Sequence, residues 1–223
     1  MSQFKYDTNS GKFEASIGNL KIGKDTIIFN MGSASECPSG EAGLCDLFLS
    51  RDCYALKSEK MYPQVLPYRQ RQEEFWKSAD PIDMAEAIQK AFSRRRKVAL
   101  KWVRVNEAGD MHSEECFTKL KQLASLLPDV NFYTYTHRSD LVTTSKNIPK
   151  NLVINTSNFE VKGLNQFAVE PRVTCSSLKT EAMRVREEIR ELHGDNALTC
   201  IGDCSACNLC KIQHGKTIYV PLH

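Results

Sequence analysis

No apolar run in the 223 residues of this chain approaches the ~18 needed to cross a bilayer as a helix, which argues against a membrane-spanning protein. The opening MSQFKYDTNSGKFE has no apolar core and carries two acids. It therefore reads neither as a secretory signal nor as an amphipathic transit helix, and the chain is expected in the cytoplasm, with no membrane partner. Net charge is small as well: 30 Lys and Arg against 27 Asp and Glu leave +3, too little by itself to imply a polyanionic partner. No Pro/Gly/Ser linker, low-complexity tract or internal repeat divides the chain into modules. What remains, 41% apolar and 26% charged residues, is ordinary globular composition, and a chain this long folds without a covalent staple.

Cysteine, by contrast, is abundant. Nine thiols cannot all pair, and a reducing compartment disfavours disulfides, so ligation explains the set better. Cys200, Cys204, Cys207 and Cys210 are spaced C-x3-C-x2-C-x2-C, four thiols within eleven residues. Two-residue gaps turn successive sulfurs toward one centre while the intervening amides point at them, as in ferredoxin-type iron–sulfur loops. Zinc more often takes two separated C-x2-C knuckles and is the alternative. Cys37, Cys45 and Cys53 form a looser C-x7-C-x7-C set in one loop after the first apolar strand. Three ligands would leave one iron open, as catalytic metal sites do. The expected cofactor is a four-iron cluster on the C-terminal thiols, with a second on the first loop as a further option. Cys116 lies in an amphipathic helix pattern and reads as a core residue. Cys175 is open between core thiol and eighth ligand.

Strand and helix patterns alternate. Strands are expected at Thr26–Asn30, Val98–Val105, Asn131–Thr136, Leu152–Asn155, Gln166–Val169 and Thr217–Val220. Helical patterns fill Tyr54–Lys77, interrupted by Pro63 and Pro67, then Asp80–Arg95, Ser113–Leu127 and Leu178–Leu192. Repeated βαβ units mean a mainly parallel sheet, and five or six of them suit a partial (β/α) barrel, with an open doubly wound sheet as the other arrangement. The expected organisation is an N-terminal arm or small hairpin over 1–25, the α/β body over 26–195, and a cysteine-rich segment with a last strand over 196–223.

Polar residues recur where the strands end. Asn106-Glu107-Ala108-Gly109-Asp110 brings two carboxylates and a turn glycine; Thr136-His137-Arg138, Asn155 to Asn158 and Glu170-Pro171-Arg172 follow. In an α/β fold these positions face one cavity with the first cysteine loop. Glu107 and Asp110 are the candidate catalytic groups there, and Gly109, Ser157 and Arg172 the candidate cofactor-binding positions. His112, His193 and His214 read as loop or surface histidines. Arg94-Arg95-Arg96-Lys97 ends a helix, where cations complement the dipole; a nucleic-acid contact is the sharper reading of that run.

The stretches SASECPSGEAGLC…CYA and VRVNEAGDMHSEECFTKLKQLASLLPDVNFYTYT, with the terminal C-x2-C-x2-C…H, resemble the phage "gene product 88" proteins over Ile27 to His223. That resemblance implies an iron–sulfur-type protein whose body is like a shortened radical-SAM barrel, in the host cytoplasm if phage-encoded. It also implies that Cys37, Cys45, Cys53, Cys204, Cys207 and Cys210 are the characteristic thiols. The first loop lacks the C-x3-C-x2-C spacing of radical-SAM enzymes, whereas Cys200-x3-Cys204-x2-Cys207 has it at the other end of the chain. S-adenosylmethionine is thus the less favoured cofactor. The functional expectation is redox or radical-type chemistry or electron transfer on an unknown small molecule or redox partner. A zinc- or cluster-stabilised binding module without catalysis is the alternative.

Overall fold

A computed structural model describes residues 2–19 and 21–222. One nine-stranded sheet runs through it in the order β1-β2-β3-β4-β5-β6-β7-β9-β8. The strands are β1 (Ser2–Thr8), β2 (Gly11–Ile17), β3 (Thr26–Phe29), β4 (Trp102–Val105), β5 (Asn131–Thr136), β6 (Leu152–Ser157), β7 (Asn165–Thr174), β8 (Leu198–Thr199) and β9 (Thr217–Leu222). The helices are α1 (Pro38–Glu41), α2 (Asp46–Leu49), α3 (Tyr54–Met61), α4 (Val65–Ser78), α5 (Pro81–Ser93), α6 (Glu114–Leu126), α7 (Ser139–Val142) and α8 (Leu178–His193). None of the described helices is long and apolar enough to cross a membrane.

From β3 to β8 every pairing is parallel, and only the β1–β2 hairpin joins antiparallel, onto β3. The expected mainly parallel α/β sheet is present. It is not closed: its order begins at β1 and ends at β8. The arm over 1–25 contributes two strands that continue this sheet. Between β3 and β7 the order never reverses, and helices α4, α5 and α6 of the connections pack on one face of the sheet. One connection is unusually short for parallel strands, residues 158–164. It suffices because β7 starts level with Asn155, so the chain climbs back only a little.

Local signals explain the elements. The Asp80 carboxylate accepts the Ile82 N–H at 2.7 Å with Pro81 in the first turn, and the Ser113 hydroxyl accepts the Cys116 N–H. Pro67 does not break its helix because it falls in the first turn of α4, where no intrahelical N–H is needed.

Alternation divides the sheet into two faces. Ile27, Phe29, Val103, Val105, Phe132 and Ile154 pack with Phe75, Met84, Ile88, Phe117 and Leu120 into the main core. Their neighbours, including Arg104, Tyr133, Tyr135 and Asn155, project to the other side, called here the inner face. Beneath α8 a smaller cluster holds Val173, Cys175, Leu178, Val185 and Ile189.

Candidate metal and redox site

Both cysteine sets become local groups, one over the inner face of the sheet and one at the carboxyl ends of the strands. After β8 the chain crosses the inner face: the Cys204 N–H donates to the Lys21 carbonyl, before β3, at 2.8 Å, and the Lys211 ammonium lies 5.3 Å over Trp102, the first residue of β4. The segment thus starts at the carboxyl end of β8 and reaches the amino ends of β3 and β4, as it must, because β8 and β9 are parallel. The cavity expected from the sequence joined the strand-end polar residues to the first cysteine loop; the C-terminal thiols form a separate group.

Cys200, Cys204, Cys207 and Cys210 together line one small pocket, walled by Tyr133, Tyr135, Lys211 and Ile218. Burial pushes the Cys210 thiol up to about 12, and the other three thiols push the same way, while a hydrogen bond with Tyr135 opposes them. Burial likewise raises Cys200, against an amide donor from Gly202 and the charge of Lys21. Lys211 is buried and donates to the Cys204 carbonyl at 2.9 Å. The backbone is irregular here and is held from outside. The Asn155 amide donates to the Cys210 carbonyl at 2.9 Å; that of Asn165 donates to Ile212, and its carbonyl oxygen accepts from His214 and Gly215.

At the carboxyl end, Cys37, Cys45 and Cys53 occupy the positions just before α1, α2 and α3. The amides of Ser39 and Gly40 point at the Cys37 sulfur, those of Leu47 and Phe48 at Cys45. Burial, then the Asp110 carboxylate, push Cys37 up to about 12. Burial also raises Cys45, with the charges of Cys53 and Asp110 adding to it. Among the described residues no group of three or more His, Cys, Asp or Glu side chains surrounds a single-ion position.

Asp110 is 3% exposed and fully engaged: its carboxylate accepts from the Ser39 hydroxyl at 2.6 Å, the His137 N–H at 2.9 Å and the Met111 N–H at 2.7 Å. It therefore clamps the loops after β3, β4 and β5 beside Cys37 and Cys45. Glu107 offers its carbonyl to the Tyr54 hydroxyl at 2.5 Å. Gly109, at φ +70°, would carry a Cβ 2.9 Å from the Gly32 carbonyl oxygen, so only glycine lets these loops touch. Asn30 and Asn106 stitch the same loops, accepting the Glu107 and Ala108 amides and the Met31 amide. The buried Glu59 carboxylate holds the Ala34 and Ser35 amides and pairs with Arg69 at 2.8 Å.

Other candidates are placed elsewhere. Ser157 ends β6, buried, two strands from β4. Arg172 pairs with Glu170 at 2.7 Å, and Glu170 with His193 of α8, whose ring stacks on Tyr219 at 3.7 Å. Tyr219 alternates with the pocket-lining Ile218, so this group faces α8 and not the thiols. Cys175 sits in the α8 cluster and Cys116 in the main core, 3.0 Å from the Trp76 ring nitrogen. Arg94 lies over the Phe4 ring, while Arg95 and Lys97 are exposed. Sequence reasoning passed over Arg104, Tyr133, Tyr135 and Lys211. Alternation in WVRV and NFYTYT carried a signal for the first three; nothing local marked Lys211.

A model of the gene product 88 family matches residues 5–215. The chain belongs to the gene product 88 family. The match spans both thiol groups and ends before β9 of this gene product 88 protein. No curated protein and no solved structure matches the chain.

Proposed function

We propose that this gene product 88 protein is an iron–sulfur protein that stores or delivers electrons from a four-iron cluster held by Cys200, Cys204, Cys207 and Cys210. The observation that carries this reading is that all four thiols line one pocket. The surroundings suit the charge: four thiolates on a 2+ cluster leave about −2, and Lys21, Lys211 and the Tyr135 hydroxyl are placed against it. When bound, the cluster would supply a one-electron couple. The chain's own residues would tune it through hydrogen bonds, cationic charge and exclusion of water.

The first loop is the candidate second site. Three thiols there would leave one position open for a small molecule, beside Glu107 and Asp110. The unreversed β3–β7 order supports a relation to radical-SAM barrels, with S-adenosylmethionine the less favoured ligand. Anaerobic purification with iron, followed by iron and sulfide analysis and visible and EPR spectra, tests the reading. A brown protein bleached by dithionite is expected. A colourless protein with stoichiometric zinc would overturn it in favour of a metal-stapled binding module, for which Arg94 to Lys97 are the nucleic-acid candidates. Formation of 5′-deoxyadenosine by the reduced protein would move the function to radical chemistry.

A further inference from the structure

Arg104 occupies the inner face of β4, directly opposite Tyr133 of β5. The flanking Val103 and Val105 are committed to the main core, so strand alternation sends the guanidinium the other way. It lies 5.2 Å over the Tyr135 ring, within the influence of Tyr54, Tyr133 and Glu107. Among the described residues it forms no hydrogen bond or ion pair, and its Nε is buried without a partner. Tyr133, 2% exposed, has a buried hydroxyl that is equally unpartnered.

A guanidinium cannot escape this situation by losing its proton, as a lysine could. Leaving a guanidinium Nε and a tyrosine hydroxyl unsatisfied in a folded interior is costly, and native proteins do so rarely. Two such donors face each other across one strand pair. An acceptor with negative charge and more than one oxygen satisfies both, and a carboxylate or phosphate matches the guanidinium fork. The rings of Tyr135 and Phe167, in edge contact at 5.2 Å, offer an apolar wall for the rest of a small molecule.

We propose that Arg104 and Tyr133 form the recognition site for a small oxyanion-bearing molecule, a carboxylate or a phosphate, on the inner face between the two thiol groups. Tyr133 also lines the four-thiol pocket, so the ligand lies beside it. The site rests on the paired unsatisfied donors and not on metal at either cysteine set.

The full chain is titrated with inorganic phosphate and, separately, with succinate, following Tm and binding heat; iron and zinc are measured in the same samples, so a failure of the cluster reading is seen independently. A saturable rise in Tm with one of the two is expected and identifies the oxyanion. Arg104→Met should weaken that binding roughly tenfold or more. Arg104→Lys, which keeps the charge without the fork, should retain part of the affinity. No saturable response to either anion would overturn the proposal. So would an unchanged response in Arg104→Met.

Discussion

Over the inner face of the sheet, Cys200, Cys204, Cys207 and Cys210 hang on irregular backbone tied down by Asn155, Asn165 and the Lys21 carbonyl. At the carboxyl end, Cys37, Cys45 and Cys53 each precede a helix, in loops locked by the Glu59–Arg69 pair, two asparagines and Asp110. The first group has cations and tyrosines around it; the second has a carboxylate. Four thiols close a coordination sphere, whereas three leave it open. The contrast teaches that the same side chain serves two designs. In the C-terminal pocket metal energy is expected to be a large share of local folding energy. In the first loop the hydrogen bonds of Glu59, Asn30, Asn106 and Asp110 are expected to carry more of it.

The largest effect should separate these designs directly. Cys207→Ser is expected to strip metal from the C-terminal pocket and to raise hydrogen exchange sharply over residues 198–216. Cys45→Ser should lower metal content yet leave exchange in its own loop near the wild-type level. Equal loosening in both variants would erase the comparison.

Next in size, Arg69→Met leaves the buried Glu59 carboxylate without its cation. Urea unfolding should show a loss of roughly 3–5 kcal/mol. A loss below about 1 kcal/mol would mean that the first loop is not held by this pair. Gly109→Ala puts a side chain at φ +70° and against the Gly32 carbonyl. Here about 1–3 kcal/mol is expected, with metal content at the C-terminal pocket unchanged, since Gly109 does not line that pocket.

The smallest effect concerns pH. Arg172 and, after it, His193 hold the Glu170 carboxyl at about 2 against burial, below its ordinary value of 4.5. A folded-state value below the unfolded one adds stability above about pH 4.5 that disappears as pH falls toward 2. The wild type should therefore lose Tm across that window more steeply than Glu170→Gln. Because His193 stacks on Tyr219 of β9, the loss falls on the C-terminal side; identical slopes would remove Glu170 from that account.

Much of the scaffold was legible because its signals are local. Asn131–Thr136 and Leu152 onward read as strands from β-branched and aromatic runs, and Asp80-Pro81 and Ser113 marked helix starts that the structure reproduces. The short α1 and α2 were passed over, although Cys37-Pro38 and Cys45-Asp46 carry the proline and acid of a first turn. Glu107 and Asp110 were legible as strand-end carboxylates. That Asp110 is spent on three hydrogen bonds was not, because two of its partners, Ser39 and His137, lie 71 and 27 residues away in sequence.

By itself, then, the amino-acid sequence determined the two cysteine sets, their internal spacing, and the alternating pattern that makes a mainly parallel sheet, since each depends on residues within a turn or a strand of one another. Only the tertiary structure decided that the sets form separate groups, one over the inner face and one at the carboxyl ends, that Arg172 turns toward α8, and that Arg104 meets Tyr133. Those facts follow from strand order and register. Order and register are fixed by packing among segments distant in sequence, which no local pattern encodes.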